Sequence, residues 1–319
     1  MTFAMEKTMH RRTVLLASAL GAFAARPALA SDARLKVVAS FSILADLARS
    51  AAGENAEVSA LAGPDVDPHG FSPSPSDARR CAEADVLVMN GHGFDAWMEK
   101  LARSGGKARL VLATQGVATI RARAAHAHGS HAHGHSHGHS HGHGVVDPHV
   151  WQDASRAAQM VRAIGRGLGE ARPASSQAIA AQASRAADEL MALDRWIAAL
   201  FAPIPKEKRR IFTSHDAFAY FGARYGVEFR APRGVANEGE PSPADLARII
   251  RDIRQQNAKV VFLENVSSPR VIEQVAREGG ARVGGRLYSD ALSAEGGPAA
   301  TYQAMMRHNA TLMRDAMVA

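Results

Sequence analysis

Short apolar runs alternate along this chain with longer segments of helical periodicity, and that alternation restricts the fold to parallel βαβ units. Strand-like runs fall at 36–40, 57–61, 85–89, 109–112, 210–213, 227–229, 259–263 and 284–288. Helix-like segments fall between them, at 43–52, 76–83, 94–103, 217–225, 243–257, 269–278 and 298–316. Ser76 is a candidate N-cap for the second helix. Ser242 is one for the helix opened by Pro243, because a serine oxygen accepts a free first-turn N–H and proline is tolerated at N1.

Two segments depart from this rhythm. From 126 to 143 the chain is almost wholly His, Gly, Ala and Ser, with imidazoles at His126, His128, His131, His133, His135, His137, His139, His141 and His143. Such a composition cannot build a core, so a disordered insertion is expected. Beyond it, an Ala-rich stretch leads to a long helix over 173–201, with Pro173 at N1 and Ile179, Leu190, Leu193, Ile197 and Leu200 on one face. Twenty-nine residues at roughly 1.5 Å each span about 43 Å, enough to join two lobes stiffly.

The first thirty residues read as a signal peptide. Arg11-Arg12 precedes an apolar run over 14–25 that is too short to span a bilayer, and Ala28-Leu29-Ala30 forms a small-residue cleavage site. Arg11-Arg12-Thr13-Val14-Leu15 also fits a twin-arginine export signal. A periplasmic destination follows, and with no Cys after the cleavage site a lipid anchor is not expected. Three of the seven net positive charges lie in this segment. The remaining charge, about +4, forms no basic stripe interleaved with aromatics, which argues against nucleic acid. Cys81 is the only Cys, so no internal disulfide can form, and a buried thiol is expected. About 289 residues remain, enough for two domains with separate cores.

Four metal-capable side chains sit at the ends of expected strands. They are His69 in Asp67-Pro68-His69, His149 in Asp147-Pro148-His149, His215 in Ser214-His215-Asp216, and Asp290 in Tyr288-Ser289-Asp290. Ligands of open α/β sheets bind past the carboxyl ends of strands. Taken singly, a His beside a Pro is an ordinary turn residue, and Asp290 or Ser214 could cap a helix. Taken together, three imidazoles and one carboxylate fill a tetrahedral shell for Zn²⁺, two from each half of the chain. Asp67, Asp147 and Asp216 are candidates to orient the ligand rings. His92 is a candidate auxiliary ligand, and Glu264-Asn265 could line the cleft without a stated role.

The chain resembles the cluster A-I, zinc/manganese-type periplasmic substrate-binding proteins of ABC transporters. The likeness rests on 63–69, 147–151, 214–218 and 287–292, and extends over the whole exported chain. It implies two (βα) lobes with parallel sheets, joined by one long linking helix, with the metal in the inter-lobe cleft. The expected layout is a signal peptide at 1–30, an N-terminal lobe at 31–170 containing the His-rich loop, a linking helix at 171–203 and a C-terminal lobe at 204–319. The resemblance also implies that the four residues are the ligands, that the partners are an ABC permease and its ATPase, and that no reaction is catalysed.

Manganese-type members of the family tend to carry Glu at the third ligand position, where this chain has His215. A nitrogen-rich shell suits Zn²⁺ over Mn²⁺. The expectation is therefore a monomeric zinc receptor, with a periplasmic zinc chaperone as a further candidate partner. The His-rich loop is expected to bind further zinc weakly and raise its local concentration. Two rivals are a periplasmic zinc buffer or metallochaperone and, less well supported, a zinc-dependent hydrolase. The hydrolase lacks a His-Glu-x-x-His motif and an open coordination position.

Overall fold

The computed structural model describes residues 1, 34–104, 106–122, 146–231 and 242–319. The expected signal peptide and the His-rich loop lie outside the described residues. The N-terminal lobe is built on β1 (Leu35–Phe41), β2 (Ala56–Ala62), β3 (Val86–Met89) and β4 (Arg109–Leu112), all parallel in the order β2-β1-β3-β4. β1 and β3 are the inner strands and read as nearly unbroken apolar runs, as a parallel sheet covered on both faces requires. Helices α1 (Ser42–Ala52), α2 (Pro75–Ala82) and α3 (Ala96–Arg103) connect them. α2 starts one residue before the expected cap. Ser74 is the N-cap, Pro75 holds N1, and Ser74 and Asp77 bond each other's backbone reciprocally. Cys81 is buried on this helix, as expected.

Two helices follow the insertion. α4 (Ala154–Ala171) opens on Asp153, whose carboxylate accepts the N–H groups of Ser155 and Arg156. After one 3-10 turn at Pro173–Ser175 comes α5 (Ser176–Phe201), so the long helix has 26 residues and spans about 39 Å. α4 and α5 approach closely, because a Cβ on Gly165 would stand 2.5 Å from the Ala183 methyl. α5 also packs against α1 in the N-terminal half and against the terminal helix, α9 (Tyr302–Val318). It therefore links the two lobes.

The C-terminal lobe holds β5 (Arg210–Phe212), α6 (Ala219–Tyr225), β6 (Glu228–Arg230), α7 (Pro243–Gln255), β7 (Val260–Glu264), α8 (Pro269–Gly279) and β8 (Arg282–Leu287). Among the described residues β5 pairs with β6 and β7 with β8, both in parallel. Ser242 caps α7 as expected. α6 starts two residues later than expected, because 214–216 form a bend that presents His215. α9 starts four residues later than expected, where the Thr301 hydroxyl accepts the Ala304 N–H. The β7–β8 register shifts between Val261 and Leu263, opposite Gly284-Gly285, where a Cβ on Gly284 would meet Val260 at 2.3 Å. Such an irregularity re-aims the strand that follows, here the one leading to Asp290.

The main apolar cluster runs without a break from β1 and α1 through α4 and α5 to α6, β7 and α9. Smaller clusters lie between α7, α8 and β7, and beneath α2 and α3. The largest cluster is thus shared by elements of both lobes, with a smaller one of its own in each. No described helix is long and apolar enough to cross a membrane.

Candidate metal centre

His69 and His149 are presented by the same local device. In each Asp-Pro-His triplet proline restricts the backbone, and the aspartate accepts the N–H two residues on. Asp67 Oδ1 takes the His69 N–H at 2.9 Å, and Asp147 Oδ1 takes the His149 N–H at 2.9 Å. Asp147 Oδ1 also stands 2.9 Å from His149 Nδ1, which directs Nε2 the other way. The rest of the fold holds the triplets in place. Trp97 donates its indole N–H to the Pro68 carbonyl, and Asn90 donates to the Pro148 carbonyl at 2.9 Å. Tyr220 donates to the Asp147 carbonyl at 2.8 Å from across the cleft.

His215 follows β5 and Asp290 follows β8, and both are completely buried. The four side chains converge, and one donor atom from each lies within 4.8 Å of all the others. Asp290 is the hub. Its Oδ2 is 3.0 Å from His215 Nε2 and 3.7 Å from His69 Nε2, and its Oδ1 is 3.5 Å from His149 Nε2. All three Nε2 atoms and both Asp290 oxygens are buried without a hydrogen-bond partner. Leaving such atoms unsatisfied is costly, and a cation among them would take one donor atom from each of the four side chains.

The surroundings are apolar and aromatic. Phe94 meets His69 edge-on at 4.5 Å, and Trp151 meets His149 at 5.3 Å. Burial lowers the His69 pKa to about 4, with Asp290 opposing the shift and His149 and His215 adding to it. Burial works against the charge of Asp290, but His215, His149 and His69 outweigh it and hold the carboxyl far below its ordinary range. Burial likewise opposes a proton on His215, yet Glu264 and Asp290 together raise that pKa well above the usual imidazole value.

Glu264, to which sequence reasoning assigned no role, ends β7 against His215, with Oε2 2.7 Å from Nδ1. The one available signal was an acid closing an otherwise apolar strand. On the Nδ1 side of His215 stands the Glu264 carboxylate, and Asp216 is half-buried. His92 lies exposed on a turn at φ 55° and is not a member of the four-residue cluster. Trp151 and Gln152, each donating to the Ser289 carbonyl at 2.8 and 2.7 Å, were also not anticipated.

Residues 37–316 match the family described as zinc-uptake complex component A, periplasmic (ZnuA). The chain is 30% identical over 292 residues to the manganese-binding lipoprotein MntA of Bacillus subtilis, covering 90% of this chain and 91% of that protein. It is 30% identical over 269 residues to the iron-binding protein YfeA of Yersinia pestis, covering 84% and 82% respectively. The periplasmic zinc-binding protein TroA of Treponema pallidum shares the fold, with a TM-score of 0.78 at 24% identity over 89% of this chain and 99% of that one. The match over residues 37–316, on a two-lobed frame that carries a buried cluster of metal-capable side chains, places the chain in the ZnuA family of metal-binding substrate-binding proteins of ABC transporters, which are receptors and not enzymes.

Proposed function

We propose that this protein is a periplasmic receptor that captures Zn²⁺ with His69, His149, His215 and Asp290 and delivers it to an ABC permease and its ATPase. The observation that carries the reading is the convergence of three imidazole Nε2 atoms and one carboxylate, all buried and otherwise unsatisfied. The similar proteins are named for manganese, iron and zinc, so the choice of metal rests on this chain's own donors. Three neutral nitrogens and a single carboxylate favour zinc over the harder manganese ion. On this reading residues 31–170 and 204–319 act as the two lobes, 171–203 as the link, and the loop at 126–143 gathers further zinc weakly.

Elemental analysis of protein purified without added metal, followed by melting in each metal, tests the proposal. A ligand that binds only the native state stabilises it by about 4 kcal/mol at roughly a thousandfold excess over its dissociation constant. Zinc is expected to co-purify at one tight equivalent and to raise Tm well above the manganese value. Equal shifts from both metals would remove the zinc assignment.

A further inference from the structure

We propose that Glu264 is the positioning residue that decides which nitrogen of His215 faces the cation, an inference that rests on reading the four-residue cluster as the cargo site. Glu264 ends β7, whereas His215 follows β5. Among the described residues these strands belong to different two-stranded sheets, so no ladder bond sets the height of one strand end against the other. The Glu264 side chain supplies that link. Its Oε1 accepts the Ser214 N–H at 2.8 Å, the Ser214 hydroxyl at 2.6 Å and the His215 N–H at 2.9 Å.

With Oε1 engaged three times, Oε2 is left facing His215 Nδ1 at 2.7 Å. Both atoms are buried and have no other polar group to answer them, so at this distance they form a close ion-pair contact that a proton between them would turn into a hydrogen bond. A carboxylate oxygen can only accept, so the pair is satisfied only when Nδ1 carries the proton. When the ring gives up its second proton to a cation, the lone pair is therefore the one on Nε2, the atom that stands 3.0 Å from Asp290 Oδ2 inside the cluster. Asp147 acts in the same way on His149, but from two residues away in the same turn. Glu264 does so from 49 residues away, across two strand ends. Carboxylates behind ligand imidazoles set ring orientation and donor strength, and their loss typically lowers metal affinity about 10- to 100-fold.

The test compares wild type, Glu264→Gln and His215→Ala by zinc titration against a competing chelator. It is joined by nitrogen-15 NMR of the imidazoles in zinc-loaded wild type and by the visible spectrum of the cobalt(II)-loaded proteins. Glu264→Gln is expected to bind zinc about 10- to 100-fold more weakly and to alter the cobalt spectrum. In the zinc-loaded wild type, His215 is expected to be metallated at Nε2 and protonated at Nδ1. A residue that merely anchors Ser214 would move the melting temperature and leave the affinity and the cobalt spectrum unchanged, and that result overturns the proposal. If Glu264→Gln does not fold, the wild-type spectrum decides, because metallation of His215 through Nδ1 is incompatible with the role assigned to Glu264. Should His215→Ala itself keep the tight site, the cargo-site reading fails. If His215→Ala loses the site while Glu264→Gln keeps it, only the role of Glu264 fails.

Discussion

The indole N–H of Trp151 donates to the main-chain carbonyl of Ser289 at 2.8 Å, tying the residue two places after His149 to the residue just before Asp290. One candidate ligand from each half of the chain is thereby held in register by the backbone around it. Gln152 donates to the same carbonyl at 2.7 Å. Tyr302, on α9, donates its hydroxyl to the Trp151 carbonyl. The His149–Asp290 half of the site is therefore braced by tertiary contacts that use none of the four clustered donor atoms.

Trp151→Phe tests that preorganisation. The phenyl ring keeps the packing against Phe41 and Phe94 but removes the donor, while Gln152 retains its own bond. A net cost of about 1 kcal/mol in metal-free stability is expected, read by urea denaturation. A severalfold loss of zinc affinity should accompany it, because the ion would then have to order what the fold no longer holds. An affinity equal to that of wild type would show that the tie is irrelevant to the site.

Removing His215 and removing the His-rich loop should have opposite effects. His215→Ala deletes a buried donor and should weaken the tightest zinc site by at least about a hundredfold, a loss of roughly 3 kcal/mol. Deleting 126–143 removes none of the four cluster residues, so the tightest site should persist while the number of bound ions falls. Competitive titration with a chelator of known strength checks both. Loss of the tightest site on loop deletion would contradict the assignment of the cluster.

The pH dependence follows from two imidazoles shifted in opposite directions. His69 is lowered to about 4 by burial, so as pH falls the unfolded chain takes up a proton before the folded one does. Its contribution to metal-free stability is present above about 6.5 and is lost between about 6.5 and 4. His215 has the opposite sign. Glu264 and Asp290 raise it against burial, so its contribution is present below about 6.5 and fades as pH rises through the folded value. A proton held on His215 must leave when a cation takes Nε2. Zinc binding at pH 7 is expected to release about one proton, measurable by calorimetry in buffers of different ionisation enthalpy. Binding with no proton release would mean that His215 is neutral in the metal-free protein.

The link between α4 and α5 makes a prediction about stability alone. Gly165→Val would force a Cβ to within 2.5 Å of the Ala183 methyl and push the two helices apart. Overpacking of this kind costs about 1–3 kcal/mol, and a chemical-denaturation midpoint lowered accordingly is the expected result. Unchanged stability would show that the α4–α5 contact yields freely.

Much of this architecture was legible in the residues. The inner strands β1 and β3 are apolar because both faces of a parallel sheet are covered, and that pattern survives in one dimension. Pro243 after Ser242 marked a helix start for equally local reasons. The two Asp-Pro-His triplets were readable too, since each aspartate acts on a histidine two residues away. Boundaries slipped where a longer-range demand competed, as at 214–218, where the chain bends to present His215 before α6 can begin.

By itself, the sequence determined the α/β class, the long linking helix and four metal-capable side chains at strand ends, because period, capping and turn chemistry act over a few residues. Only the tertiary structure decided that these side chains meet within 4.8 Å, that the lobes share their largest apolar cluster, and that Glu264 stands behind His215. Those facts depend on the ends of strands 50 to 140 residues apart being brought to one point. The forces responsible are burial and the satisfaction of buried polar atoms, which are properties of a packed interior and leave no periodic trace along the chain.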